Sequence, residues 1–85
     1  MSYAVLFATR AARDLRRLPP PAARRVIAAL KALARDPRPT GSRKLTASDE
    51  WRIRVGDHRI RYRIHDPTRQ ITVTRIAHRR DVYRP

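Results

Sequence analysis

Between Trp51 and Ile64 apolar residues alternate with arginines. Trp51, Ile53 and Val55 bracket Arg52 and Arg54, and Ile60, Tyr62 and Ile64 are interleaved with Arg59, Arg61 and Arg63. A period of two describes strands with one buried and one open face, whereas a helix would spread the arginines round its circumference. Gly56-Asp57 separates the two runs and reads as a two-residue hairpin turn. Such a turn fixes the pairing: Val55 with His58, Arg54 with Arg59, Ile53 with Ile60, Arg52 with Arg61 and Trp51 with Tyr62. The predicted hairpin has an apolar wall on one side and Arg52, Arg54, Arg59, Arg61 and Arg63 on the other. Like charges directly opposite each other cost roughly a few tenths of a kcal/mol per pair. That cost is relieved if an anion lies over the face; the plainer reading is a solvated polar surface.

The rest of the chain supplies what the apolar wall packs against. Tyr3 to Ala8, with Val5 and Phe7, reads as a short strand. Thr9 is a suitable N-cap for a helix over Arg10 to Leu18 with Ala11, Leu15 and Leu18 inward, stopped by Pro19, Pro20 and Pro21. Proline is tolerated in a first helical turn, so Pro20 or Pro21 opens a second helix through Arg35, with Ala23, Val26, Ile27, Leu30 and Leu33 inward. Asp36-Pro37-Arg38-Pro39-Thr40-Gly41 ends it and begins a polar loop to about Ser48. A turn at Asp66-Pro67-Thr68-Arg69 leads to a third strand from Gln70 to about Ala77. Its apolar spacing slips from two to three between Val73 and Ile76, which calls for either a bulge near Thr74 and Arg75 or burial on both faces. The expected fold is α+β: a short N-terminal strand, two antiparallel helices on one sheet face, a three-stranded antiparallel meander and a basic C-terminal tail.

A chain of 85 residues leaves room for one small domain. Without cysteine there is no disulfide framework and no thiolate metal site, and nothing points to an oxidising compartment. The longest apolar runs, Ala4 to Ala8 and Val26 to Leu30, fall far short of the roughly 20 residues that span a bilayer. No signal-peptide pattern is seen, so a soluble cytoplasmic protein without a membrane partner is expected. Lys plus Arg 21 against Asp plus Glu 7 gives a net charge of +14, which makes a polyanion the expected partner. Only Lys31 and Lys44 are lysines. The planar fork of arginine suits bidentate phosphate contacts, although an arginine-favouring codon bias predicts the same ratio.

The tail His78-Arg79-Arg80-Asp81-Val82-Tyr83-Arg84 puts an imidazole, guanidinium groups and a phenol just beyond a strand. These groups can serve phosphoryl transfer: an acid or base, a charge clamp, and a stacking platform or hydroxyl donor. A basic tail on a basic chain is also plain electrostatics. His58 and His65 lack ligand spacing to a carboxylate or cysteine and read as surface or turn residues, so no metal is expected. Gly41 and Gly56 are the only glycines, which leaves no glycine-rich phosphate cradle, and no cofactor is expected.

Leu45, the run from Trp51 to Tyr62 and the segment Ile76-Ala77-His78-Arg79-Arg80-Asp81-Val82-Tyr83 together resemble the RelE/ParE superfamily of toxins. The opening strand followed by Ala-Arg-Asp-Leu-Arg-Arg-Leu-Pro extends the likeness to essentially the whole chain. The resemblance implies a toxin of a type II toxin–antitoxin system and a RelE-like fold. It implies a ribosome-dependent mRNA endonuclease working in the A site of the 70S ribosome. There the ribose 2′-hydroxyl attacks the adjacent phosphate without metal, leaving a cyclic phosphate and a free 5′-hydroxyl. It also implies a cognate acidic antitoxin, joined to the toxin in a heterotetramer. An alternative within the superfamily is a ParE-like, non-enzymatic inhibitor of DNA gyrase.

The resemblance matches Arg52, Arg54, Arg59, Arg79 and Tyr83 to the family's functional positions; with His78 added from its chemistry, Arg59, His78, Arg79 and Tyr83 are the expected catalytic residues, and Lys44, Arg52, Arg54, Arg61, Arg63 and Arg80 are expected to bind RNA. Members that best support the mechanism carry lysines where this chain has Arg52 and Arg54. A guanidinium with a pKa above about 12 clamps phosphate but is a poor base. His78 is therefore the expected proton carrier, with Glu50, read as solvated, the weaker alternative.

Overall fold

The hairpin forms in the register that its two-residue turn imposes. Strands β3 (Glu50–Val55) and β4 (His58–His65) pair Val55 with His58 through to Trp51 with Tyr62, and one further pair joins Glu50 to Arg63. Gly56 takes φ +58°, the left-handed region that a side chain rarely adopts. The computed structural model describes residues 2–82, and Tyr83 lies outside the described residues.

The predicted meander is completed by β5 (Gln70–His78), antiparallel to β4, but the sheet has five strands in place of three. The N-terminal strand β1 (Ala4–Phe7) runs parallel to β5 at one edge. At the other edge β2 (Arg43–Lys44), inside the segment read as a polar loop, pairs antiparallel with β3. The order is β1-β5-β4-β3-β2. In β5 the register shifts at the step from Arg61 to Tyr62: Arg61 pairs with Arg75 and Tyr62 with Val73. Thr74 is therefore the extra residue of a bulge, which decides between the two readings of the slipped spacing.

Helices α1 (Thr9–Arg16) and α2 (Pro20–Arg35) pack on the apolar face. Thr9 is the first helical residue instead of the cap; Ala8 occupies the cap position and no side chain caps the helix. The helix ends before Leu18 because Pro19 restricts the residue preceding it. Pro20 opens α2 in its first turn, where its missing N–H costs nothing. Ala11, Val26, Leu30 and Leu33 meet Ile60, Tyr62, Ile71, Val73 and Ile76 in one core. Ile27, expected inward, is exposed. Tyr62 is fully buried, and its hydroxyl donates to the Pro37 carbonyl at 2.8 Å, tying the loop after α2 to the centre of the sheet. Burial lifts the Tyr62 phenol above its ordinary range.

Where β1 stops at Phe7, the outer edge of β5 is left without a strand partner. Asp14 on α1 fills the gap: its carboxylate accepts the Ile76 N–H at 2.9 Å and Arg75 Nε at 3.1 Å. The end of the chain read as a basic tail starts with a helical turn, α3 (Arg79–Val82), fixed where the Arg79 N–H donates to the Asp57 carbonyl at 2.7 Å. No helix among the described residues is long and apolar enough to cross a membrane.

Candidate nucleic-acid interface

Pairing carries the arginines of the open face into a ladder. Arg43 on β2 is opposite Arg52 on β3, Arg52 opposite Arg61 on β4, and Arg61 opposite Arg75 on β5. Four like charges in one row are tolerable because two of them are answered. Arg61 donates to Glu50 at 2.5 Å, and Arg75 to Asp14. Arg43 and Arg52 make no ion pair with a described residue.

Glu50 is not solvated as expected: it opens β3, is 7% exposed, and also accepts a hydrogen bond from the hydroxyl of Thr74. The bulge brings Thr74 to it, and Arg63, its cross-strand partner, bonds instead to Asp49 at 3.2 Å. Burial pushes the Glu50 carboxyl up. The hydrogen bonds from Thr74 and Arg61 and the charges of Arg61 and Arg63 outweigh burial and leave it below the usual carboxylate range. A carboxylate held this firmly as an acceptor is a poor general base.

At the hairpin end the sheet opens into a cleft of about 320 Å³ lined by Arg54 from β3, Arg59 from β4, and Arg79 and Arg80 from α3. Its floor is the turn Gly56-Asp57 with His58. Arg59 is only 5% exposed, so its charge is presented from within the wall and not on an open, solvated face as predicted. Among the described residues, four arginines from three elements line the cleft against one acid, Asp57, an arrangement suited to an anion with several oxygens. A second hollow of about 420 Å³, bounded by Gly41, Arg43 and Arg52, joins the cleft through Arg54.

These features sit on a chain whose residues 5–83 match the family described as ParE toxin of type II toxin-antitoxin system, parDE. The chain belongs to that toxin family. It is 38% identical to Toxin RelG of Mycobacterium tuberculosis, over 99% of both chains. Among solved structures it resembles the toxin–antitoxin complex RelBE2 of the same organism (31% identity, TM-score 0.80, covering 92% of this chain and 99% of that one). It also resembles the archaeal RelE–RelB complex of Pyrococcus horikoshii (26% identity, TM-score 0.82, 93% and 97%). The intact RelBE complex of E. coli, at 19% identity and TM-score 0.81, shares the fold. The architecture described above is thus the RelE-like α+β fold of the RelE/ParE toxins.

Within this toxin the residues singled out from sequence fall into three groups. Arg54, Arg59, Arg79 and Arg80 meet in the cleft. Arg61 and Arg63 are held by Glu50 and Asp49, and Lys44, paired with Trp51, falls on the face opposite to the arginines; Arg43 takes the position expected of it. His78 is separated from Arg79. It pairs across the sheet with His58 on the helix side, where the two rings meet edge to face at 5.2 Å and 84°. The Arg80 N–H approaches His78 Nδ1 at 3.3 Å, which assigns that nitrogen as an acceptor. The histidine among the cleft's lining residues is His58, read from sequence as a surface or turn residue. The signal that would have found it is the register itself, which sets position 58 beside both the turn and the end of β5.

Proposed function

We propose that this toxin is a metal-independent endoribonuclease that cuts mRNA in the ribosomal A site. The observation carrying this reading is the convergence of Arg54, Arg59, Arg79 and Arg80 around one cleft that His58 also borders. In the proposed step the ribose 2′-oxygen bonds to the adjacent phosphorus while the P–O5′ bond breaks. The 2′-hydroxyl proton passes to a base and another reaches the 5′-oxygen. The products are a cyclic phosphate and a free 5′-hydroxyl, and no redox change occurs.

Guanidinium groups cannot take that proton, so their part is positioning and charge stabilisation. Arg79 and Arg59 hold the phosphate as negative charge builds on its oxygens, and Arg52, Arg54 and Arg80 bind the flanking backbone. Proton transfer falls to the imidazole pair, His58 at the cleft with His78 packed against it. Tyr83 orients the substrate by stacking or by its hydroxyl.

An acidic antitoxin is the proposed partner, supported by the toxin–antitoxin complexes among the similar structures. By neutralising a chain at +14 it would keep the free toxin off cellular RNA. The match to the ParE description favours a second reading, non-enzymatic inhibition of DNA gyrase. Induction in cells followed by mapping of mRNA 5′ ends separates the two. New 5′-hydroxyl ends within coding sequence are expected, and their absence alongside supercoiling defects would replace the nuclease with the gyrase inhibitor.

A further inference from the structure

The arginine cleft is one stretch of a longer cationic path. It shares Arg54 with the hollow that Arg43 and Arg52 bound on the sheet face. In the other direction it shares Asp57 and His58 with a hollow of about 220 Å³ beneath the start of α2, where Arg25 lies. That hollow shares His58 and His78 with another of about 210 Å³, bounded by Arg10 in the first turn of α1 and Arg17 just after its last. Arg25 Nη1 lies 3.7 Å from where a Cβ on Gly56 would sit, so this guanidinium reaches the hairpin turn that floors the cleft. Neighbouring hollows thus share lining residues in succession from the sheet face, past the hairpin tip, to the helix side. Among the described residues two acids lie along this path. Asp14 is occupied by Arg75, the Ile76 N–H and Arg10, and Asp57 stands at the tip. Arg17 and Arg25 make no ion pair with a described residue.

We propose that the helix-side half of this path is a binding track for single-stranded RNA, with Arg25 and Arg17 gripping phosphates of the strand that continues beyond the cleft. The proposal rests on the anion-binding reading of the cleft and extends its substrate from one scissile phosphate to a run of nucleotides. Curvature decides between a single strand and a duplex. The longest extent of the domain is 33 Å. Duplex DNA bends smoothly only over about 50 nm, and a duplex of comparable stiffness could touch the sheet face or the helix side but not turn from one to the other. A single strand follows such a turn readily, with affinity set by backbone charge.

The test measures the salt dependence of binding of a trinucleotide and a nonanucleotide to the full chain. Both are fully 2′-O-methylated so that neither can be cut. The nonanucleotide should show the steeper slope, because each phosphate gripped adds about −0.7 to the dependence of log K on log salt. Arg17→Ser with Arg25→Ser should flatten the nonanucleotide slope by about 1.4, leave trinucleotide binding within twofold of the parent, and be rescued by Arg17→Lys with Arg25→Lys. An unchanged nonanucleotide slope overturns the track. So does a duplex of equal length that shows the same slope and loses it in the same variant, since the helix side would then be a surface for folded RNA. Failure of the cleft reading has its own signature: Arg54→Ser with Arg79→Ser would leave trinucleotide binding intact.

Discussion

The two ends of the sheet handle charge in opposite ways. At the Asp66 end the cations are answered. Arg38 donates to Asp66 at 3.0 Å and lies over the Trp51 ring at 5.3 Å, Tyr3 donates to the same carboxylate at 2.5 Å, and Glu50 and Asp49 hold Arg61 and Arg63. At the hairpin end four arginines share one cleft with Asp57. Among the described residues acids are concentrated where they join loop and strand, and Asp57 is the one acid that lines the cleft. One end is built for stability and the other retains like-charge repulsion, which the proposed RNA would relieve.

The comparison breaks most visibly if a charge is removed from the cleft. Arg79→Ala should slow mRNA cleavage on programmed ribosomes by about 10² to 10³-fold, the cost of losing one donor to a developing oxyanion. Ribosome affinity and the melting temperature should stay near those of the parent. A variant that cuts normally would move the chemistry out of the cleft.

At the other end the same kind of change should be structural. Glu50→Gln removes the charge that pairs with Arg61 and one of the two oxygens that Arg61 and Thr74 share, and chemical unfolding should report a loss of about 2 kcal/mol. Melting should fall by roughly 8 to 16 °C for a domain of this size. Tyr62→Phe leaves the Pro37 carbonyl without its donor and should cost about 1 kcal/mol by the same measurement.

The smallest effect has the opposite sign. Arg54 sits directly across from Arg59, so Arg54→Ser should raise stability by about 0.2 to 1 kcal/mol in low salt, an increase that added phosphate abolishes. Acid titration sharpens the contrast further. Arg38 and Tyr3 hold Asp66 below the ordinary carboxylate range, and Glu50 is held below it by the contacts described above. Depressed carboxyls contribute stability that is fully present above their unfolded pKa values near about 4 and is lost as pH falls through the lower folded values. Urea midpoints should therefore be flat near neutrality and drop below about pH 4. Glu50→Gln should remove part of that drop, while Arg79→Ala should leave it unchanged.

Much of this was legible in the amino-acid sequence, for reasons particular to each element. The hairpin register admits one solution, because a slip of one residue would set the arginines of one strand on the same face as the apolar residues of the other. Pro19 and Pro20 bound both helices by what proline forbids. By contrast β2 is two residues long and has no period to read; β3 creates it by pairing. The four-residue α3 is equally short, and its start is fixed by the Asp57 carbonyl. The burial of Glu50 depends on a bulge residue 24 positions away. His78 and Arg79 are adjacent in sequence yet separate in space, since the strand ends between them. Proximity along the chain therefore gave no sign that His78 borders the neighbouring hollows while His58 borders the cleft.

The carboxylate of Asp14 stands in for a missing strand. Beyond Phe7 the margin of β5 would otherwise offer an open backbone donor to any extended peptide that came alongside, the usual starting point of unwanted strand addition between molecules. By accepting the Ile76 N–H from a helix, Asp14 closes that margin to further pairing. Loss of this one side chain would therefore be felt first as self-association, before any change in folding or in the fate of RNA.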